Sequence, residues 1–156
     1  MGEFGFSFVG TAFLLAALVP NLLWARFGVA SDYDPSGENR VLRVIERTGQ
    51  VLLTASLVLF SDTGLRAWTP WSWWLVAAIA AMLLYEAAWI RYFAGPRRNA
   101  DFYRPLLGIP VPLALLPMLG CLLLGVYGLL LPLIVSAIVA GIGHVGIHLQ
   151  HALRAR

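Results

Sequence analysis

The chain has 156 residues, of which 60% are hydrophobic and only 12% charged, about half the charged share of an average soluble domain. A soluble core of this size cannot bury so much apolar surface, so lipid is the expected solvent. The formal charge is +3 and every basic residue is Arg; these arginines sit between apolar runs, read as topology determinants, and give no phosphate-binding face, so nucleic acid is not expected as a partner.

A helix needs roughly 20 residues to cross a bilayer core. The first apolar run, Phe4 to Trp24, closes at Arg26 and Gly28 and predicts a helix over 4–26. Its start, MGEFGFSF, has no basic segment and no small-residue cleavage site, so it reads as a retained helix and not as a signal peptide. A polar loop follows, in which Asp34-Pro35 suits an N-cap with proline at the first helical position. The loop also echoes the start of an EF-hand calcium site, but Arg43 stands where the bidentate Glu would have to be. The second helix is expected over 36–60; it begins amphipathic, with Arg40, Arg43, Glu46, Arg47 and Gln50, and becomes purely apolar. The third is expected over 71–94, before the basic loop Gly95-Pro96-Arg97-Arg98.

No residue from Leu106 to Ile142 is charged. One helix of that length would measure about 55 Å at 1.5 Å per residue, far beyond a hydrocarbon core of about 30 Å. Two helices are therefore expected, over 106–125 and 131–153, with Gly128 ending one and Pro132 beginning the next. Pro110, Pro112 and Pro117 should bend the first of these. Five spans place every Arg except Arg66 on one side. By the positive-inside rule that side is cytoplasmic, with the N-terminus outside and the C-terminus inside. Trp68, Trp71, Trp73, Trp74 and Tyr127 would form the outer aromatic belt, and Trp24, Trp89 and Tyr92 the inner one. The fold class is thus an all-α integral membrane protein, one domain of five transmembrane helices, multi-pass in the cell membrane.

Depth along these spans brings Asn21, Glu46, Gln50, Glu86, Arg91, His144 and His148 to the same leaflet, roughly 5–12 Å inside the cytoplasmic boundary. An ionisable group in hydrocarbon costs about 2.5–3.5 kcal/mol on insertion scales, so such groups turn inward and pair. Each has a plainer reading. Glu46 and Arg47 can be a helix end with snorkelling side chains, and Arg91 can be interfacial. Asn21 can repair the backbone next to Pro20, and Gln50 can be interhelical glue. Glu86, between Leu-Leu-Tyr and Ala-Ala-Trp, is expected within reach of Glu46, Gln50, His144 or His148, as a site or as a structural pair. His144, His148 and His151 share one helix face. The first two can reach one metal together with Glu46 or Glu86, but H-E-x-x-H is absent. Hydrogen-bonding histidines are the simpler reading, and no metal and no cofactor is assigned. His151 reads as an exposed helix-end residue favoured by the macrodipole. Ala137, Gly141, Gly143 and Gly146 read as a close-packing face.

The expected function is a pocket in the cytoplasmic half that binds a lipid-like or isoprenoid small molecule. Glu46, Glu86, His144 and His148 would be its catalytic residues, and Asn21, Gln50, Trp24 and Trp89 would contact the ligand. Desolvated carboxylates and histidines suit acid–base isomerisation or cyclisation. A proton-coupled transporter is the alternative, with a homo-oligomer completing a path that one chain lacks in its outer half. A non-catalytic assembly subunit is the third reading. The Glu46-Arg47 pair resembles one in the glutathione-using membrane enzymes of eicosanoid metabolism, over those two residues, and the rest of that pattern does not continue. The size and span number are similar to the translocator-protein family, whose tryptophan- and proline-rich loop motif is absent here.

Overall fold

The computed structural model describes residues 2–31 and 37–154; these are helical, with no strand among them. α1 spans Phe8–Leu23 and is opened by Ser7, whose hydroxyl accepts from the Gly10 amide at 2.9 Å. It runs on through a single π-helical turn, Trp24–Gly28. α2 spans Arg40–Leu59 and starts later than the sequence suggested. Its cap is Asn39, whose side-chain oxygen accepts from Val41 and Leu42 at 2.8 and 3.3 Å; Asn caps as well as Asp does. The Asp34-Pro35 cap lies outside the described residues.

α3 spans Trp73–Ala94 behind a short 3-10 turn, Pro70–Ser72, and α4 is one turn, Asn99–Phe102. In α4 the Arg98 side chain hydrogen-bonds Asp101 and holds that carboxyl below the usual carboxylate range. α5 spans Pro112–Gly128 and α6 spans Leu131–Arg154. Three segments are long and apolar enough to cross a membrane: Phe8–Gly28, Pro70–Ala94 and Leu131–Arg154. α5 is apolar but shorter.

The break in the uncharged run falls where it was expected, between α5 and α6, but by a different device. Leu129, not Gly128, takes the left-handed conformation, with φ 52°. Gly128 is needed for proximity: a Cβ there would stand 3.1 Å from Thr63 Cγ2. The start of α5 differs more. Helix was expected from 106, yet it begins at Pro112. Ile109 and Val111 both precede prolines, which disfavours helix there. Leu106 and Ile109 instead close a tight turn on each other, and Val111 is left-handed at φ 40°. Of the three prolines only Pro117 lies inside α5.

Small residues decide the packing. α2 lies antiparallel along α6, with Gly49 against the Ala140 backbone, Gly143 against the Glu46 backbone and Gly146 against Leu42. Gly141, read with this face, turns instead towards Met118 of α5 with ordinary space. α6 packs on α5 and α5 on α3. α1 closes the ring unevenly. At one end it touches α2 backbone to backbone: Gly5 and Ser7 donate to Leu59 and Val58 at 3.0 Å, and a Cβ on Gly10 would collide with the Leu57 carbonyl. At the other end it rests on α3, through Asn21 on Tyr85 and the Gly28 carbonyl on Tyr92. α1 and α2 therefore form a fork.

The closed end of the fork carries the exposed Trp68, Trp71, Trp73 and Trp74. Tyr127 belongs to that end but is buried, not in a headgroup belt. Its hydroxyl donates to the Gly64 carbonyl at 3.2 Å and its carbonyl accepts from the Trp71 indole at 3.1 Å. Arg66 lies over the Tyr127 ring at this closed end; the open end carries the other described arginines. There Arg91 donates to the Arg104 and Pro105 carbonyls and Arg97 to the Phe27 carbonyl.

Candidate functional site

A cavity of about 320 Å³ fills the fork between α1 and α2. Its walls are mostly apolar, with Leu14 and Leu18 from α1, Leu53 from α2 and Met118 from α5. Five polar side chains also line it: Asn21, Gln50, Thr54, Tyr85 and His144. An apolar hollow with a few convergent polar groups, at the small end of the usual size range, is the common form of a small-molecule site.

Two hydrogen-bonded groups hold these side chains. On the α1 side, Asn21 Nδ2 donates to the Ala17 carbonyl and to Tyr85 Oη, each at 2.8 Å, and Tyr85 Oη donates to the same Ala17 carbonyl at 2.9 Å. Asn21 thus serves the Ala17 carbonyl of its own helix, and not the Ala16 carbonyl whose helical donor Pro20 removes. It also fixes Tyr85, which is fully buried.

On the α2 side, Glu46 Oε1 and His144 Nδ1 stand 2.5 Å apart, with both side chains mostly buried. A carboxylate can only accept, so Nδ1–H is the donor. Gln50 Nε2 donates to the same Glu46 oxygen at 3.4 Å. The close α2–α6 approach at Gly143 makes the pair: a backbone contact one residue from His144 leaves its side chain within reach of Glu46. His144 Nε2 makes no hydrogen bond among the described residues.

His148 continues the series away from the cavity. Its ring meets His144 edge-on at 4.4 Å and stacks on Phe102 at 5.6 Å, and its buried Nδ1 has no hydrogen-bond partner among the described residues. His151 is buried, contrary to its reading as an exposed helix end. Glu38 folds back over α6, with its Oε1 3.1 Å from His151 Nε2 and its Oε2 3.1 Å from Arg43 Nη2. Among the described residues no three His, Cys, Asp or Glu side chains are placed to hold a metal.

The structure therefore joins Asn21, Gln50 and His144 at one cavity, with Glu46 and His148 directly behind His144. It does not bring Glu86 there. α3 packs on α5 and α1, and α5 stands between α3 and α6. Glu86 lies among the exposed Leu83, Ala87 and Ile90 and makes no hydrogen bond or ion pair among the described residues. Equal depth was mistaken for adjacency, and nothing in the structure explains a carboxylic acid at that position. Trp24 and Trp89 do not line the cavity either. They pack on Phe102 at 5.4 and 5.6 Å, and Trp89 meets Tyr85 edge-on at 6.2 Å, so they form the wall behind the site.

Sequence reasoning missed Tyr85. Its signal was the aromatic stripe Tyr85, Trp89 and Tyr92, which returns to one helix face; only Trp89 and Tyr92 of it read as an interface belt. No family model, curated protein or solved structure matches the chain, so the reading of the site rests on its own geometry.

Proposed function

We propose that this chain is a five-span protein of the cell membrane that takes a lipid-like or isoprenoid small molecule into the fork between α1 and α2. His144 exchanges a proton with the bound molecule there. The observation that carries this reading is the meeting of Asn21, Gln50, Tyr85 and His144 at one mostly apolar cavity. Glu46 accepts from the His144 Nδ1–H and so orients the ring, leaving Nε2 for the ligand, as a carboxylate behind a catalytic imidazole does. The reaction class that fits is a proton shift on an apolar substrate, an isomerisation or a cyclisation.

Five spans are supported by pairing. α2 is polar in its first half, but it follows α6 along its length, so it shares the depth of a helix apolar enough to span. Its buried acid is matched by His144, and Glu38 by Arg43 and His151. The arginines of the open end then face the cytoplasm. Through-going transport has less support, because α1 and α2 touch backbone to backbone at the tryptophan end. Reporter fusions at the two termini should report opposite compartments; two reports from one compartment would refute the five-span topology.

The pocket is tested with a long-chain fatty alcohol carrying a diazirine, in phosphatidylcholine nanodiscs. Cross-links should concentrate on Leu14, Leu18 and Leu53, and Leu18→Trp, which fills the mouth, should remove most of them. Labelling spread evenly around the bundle perimeter would refute the pocket.

A further inference from the structure

A shallow, largely open depression lies on the outer face of α2, lined by Arg47, Gln50, Val51 and Thr54. Gln50 and Thr54 line the fork cavity as well. The two therefore meet along one edge of α2 at Gln50 and Thr54, with the mostly apolar cavity on one side and Arg47 on the other. Arg47 stands one turn from Gln50 towards the open end. It is exposed, and it makes no hydrogen bond or ion pair among the described residues. Arg43, one turn away, is held by Glu38, and Arg98, Arg91 and Arg97 by Asp101 or backbone carbonyls. Arg40, at the start of α2, is like Arg47 exposed and without a hydrogen bond or ion pair among the described residues. The carboxylate next to Arg47 in sequence, Glu46, is already engaged by His144.

We infer that the fork selects a single-chain amphiphile with an anionic head, a carboxylate or a phosphate. Arg47 binds the head at the membrane surface, and the chain passes Gln50 and Thr54 into the cavity. This rests on the pocket reading above and names the class of molecule that the pocket accepts. The separation fits: Arg47 to Thr54 is seven residues, about 10 Å along the helix. A guanidinium holds carboxylate and phosphate equally well through paired donors. The molecule arrives sideways from the cytoplasmic leaflet through the open end of the fork, and not from water.

Three diazirine probes of one chain length test it in phosphatidylcholine nanodiscs: the fatty acid, the alkyl phosphate and the fatty alcohol. The acid or the phosphate should label the fork roughly tenfold more than the alcohol, as one charge-assisted contact provides; whichever labels more identifies the head. Arg47→Gln should lower the anionic probes to the alcohol's level and leave the alcohol unchanged, while Arg47→Lys keeps most of the preference. Arg47 is exposed and makes no hydrogen bond or ion pair among the described residues, so both variants should fold. If all three probes label the fork alike, or Arg47→Gln changes nothing, the inference is overturned and the pocket stands. If none labels the fork, the pocket reading falls too.

Discussion

Gly143→Val should cost the protein about 3 kcal/mol or more and leave little of it folded in detergent. A Cβ at Gly143 would lie 2.4 Å from the Glu46 amide nitrogen and 2.6 Å from its Cα. Those atoms are backbone, so no rotamer change relieves the clash, and α2 must move off α6. Overpacking where neighbours can adjust costs about 1–3 kcal/mol; here separation also unmakes the Glu46–His144 pair. Gly49→Ala should behave similarly, since its Cβ would lie 2.3 Å from the Ala140 nitrogen. Gly141→Ala is the contrast. Its Cβ would meet Met118 at an ordinary 3.6 Å, and the gain in helix propensity is about 0.5–1 kcal/mol. Melting midpoints in detergent should therefore fall steeply for the first two and hold or rise for the third. Equal midpoints for Gly143→Val and wild type would mean that α2 and α6 do not pair in this register.

That contrast also shows what one sequence makes legible. Gly141, Gly143 and Gly146 all suggested a close-packed face, and the sequence alone could not rank them. Only the register of α2 on α6 decides that Gly143 meets backbone while Gly141 meets a flexible Met. Breaks in apolar runs were readable because length and chain chemistry act locally: an uncharged stretch too long for one crossing must turn, and it turns at Leu129–Leu130. Where two local signals competed, the reading slipped. Prolines at 110 and 112 were taken as bends within a helix, but together they exclude it, and α5 starts at the second.

The site was half legible for the same reason. Period and depth are properties of one helix, and they placed Asn21, Gln50 and His144 at a common level. Which helices touch is a property of the whole bundle. Glu86 has the right depth on the wrong face, beyond α5, whereas its neighbour Tyr85 faces α1 and joins the site. His151 looked like a helix end in water because the segment that covers it, through Glu38, lies more than a hundred residues earlier in the chain. A charge pattern read along one helix misses a partner delivered from so far away.

The Glu46–His144 pair should prove strongly coupled. Removing one partner of a buried ion pair costs about 3–5 kcal/mol, because the other is left without its counterpart. Both side chains here keep a little exposure, 17% and 15%, so Glu46→Leu should fall at the lower end, about 3 kcal/mol. His144→Phe leaves Glu46 with only the long Gln50 contact and should cost a similar amount. The double variant Glu46→Leu/His144→Phe leaves neither group stranded. Its loss should be well below the sum of the two single losses, because a hydrophobic replacement of both partners is often near neutral. Glu46→Gln keeps the shape and one acceptor for the Nδ1–H, so it should cost about 1 kcal/mol. Unfolding of all four variants measures the coupling, and probe labelling of the fork separates structure from function. Glu46→Gln should still label normally, because it leaves the walls in place. His144→Phe should shift the cross-links, because it replaces a lining residue with an apolar ring. Losses that simply add would show that Glu46 and His144 do not meet in the folded protein, and His144 would then have no carboxylate behind it to orient its free nitrogen.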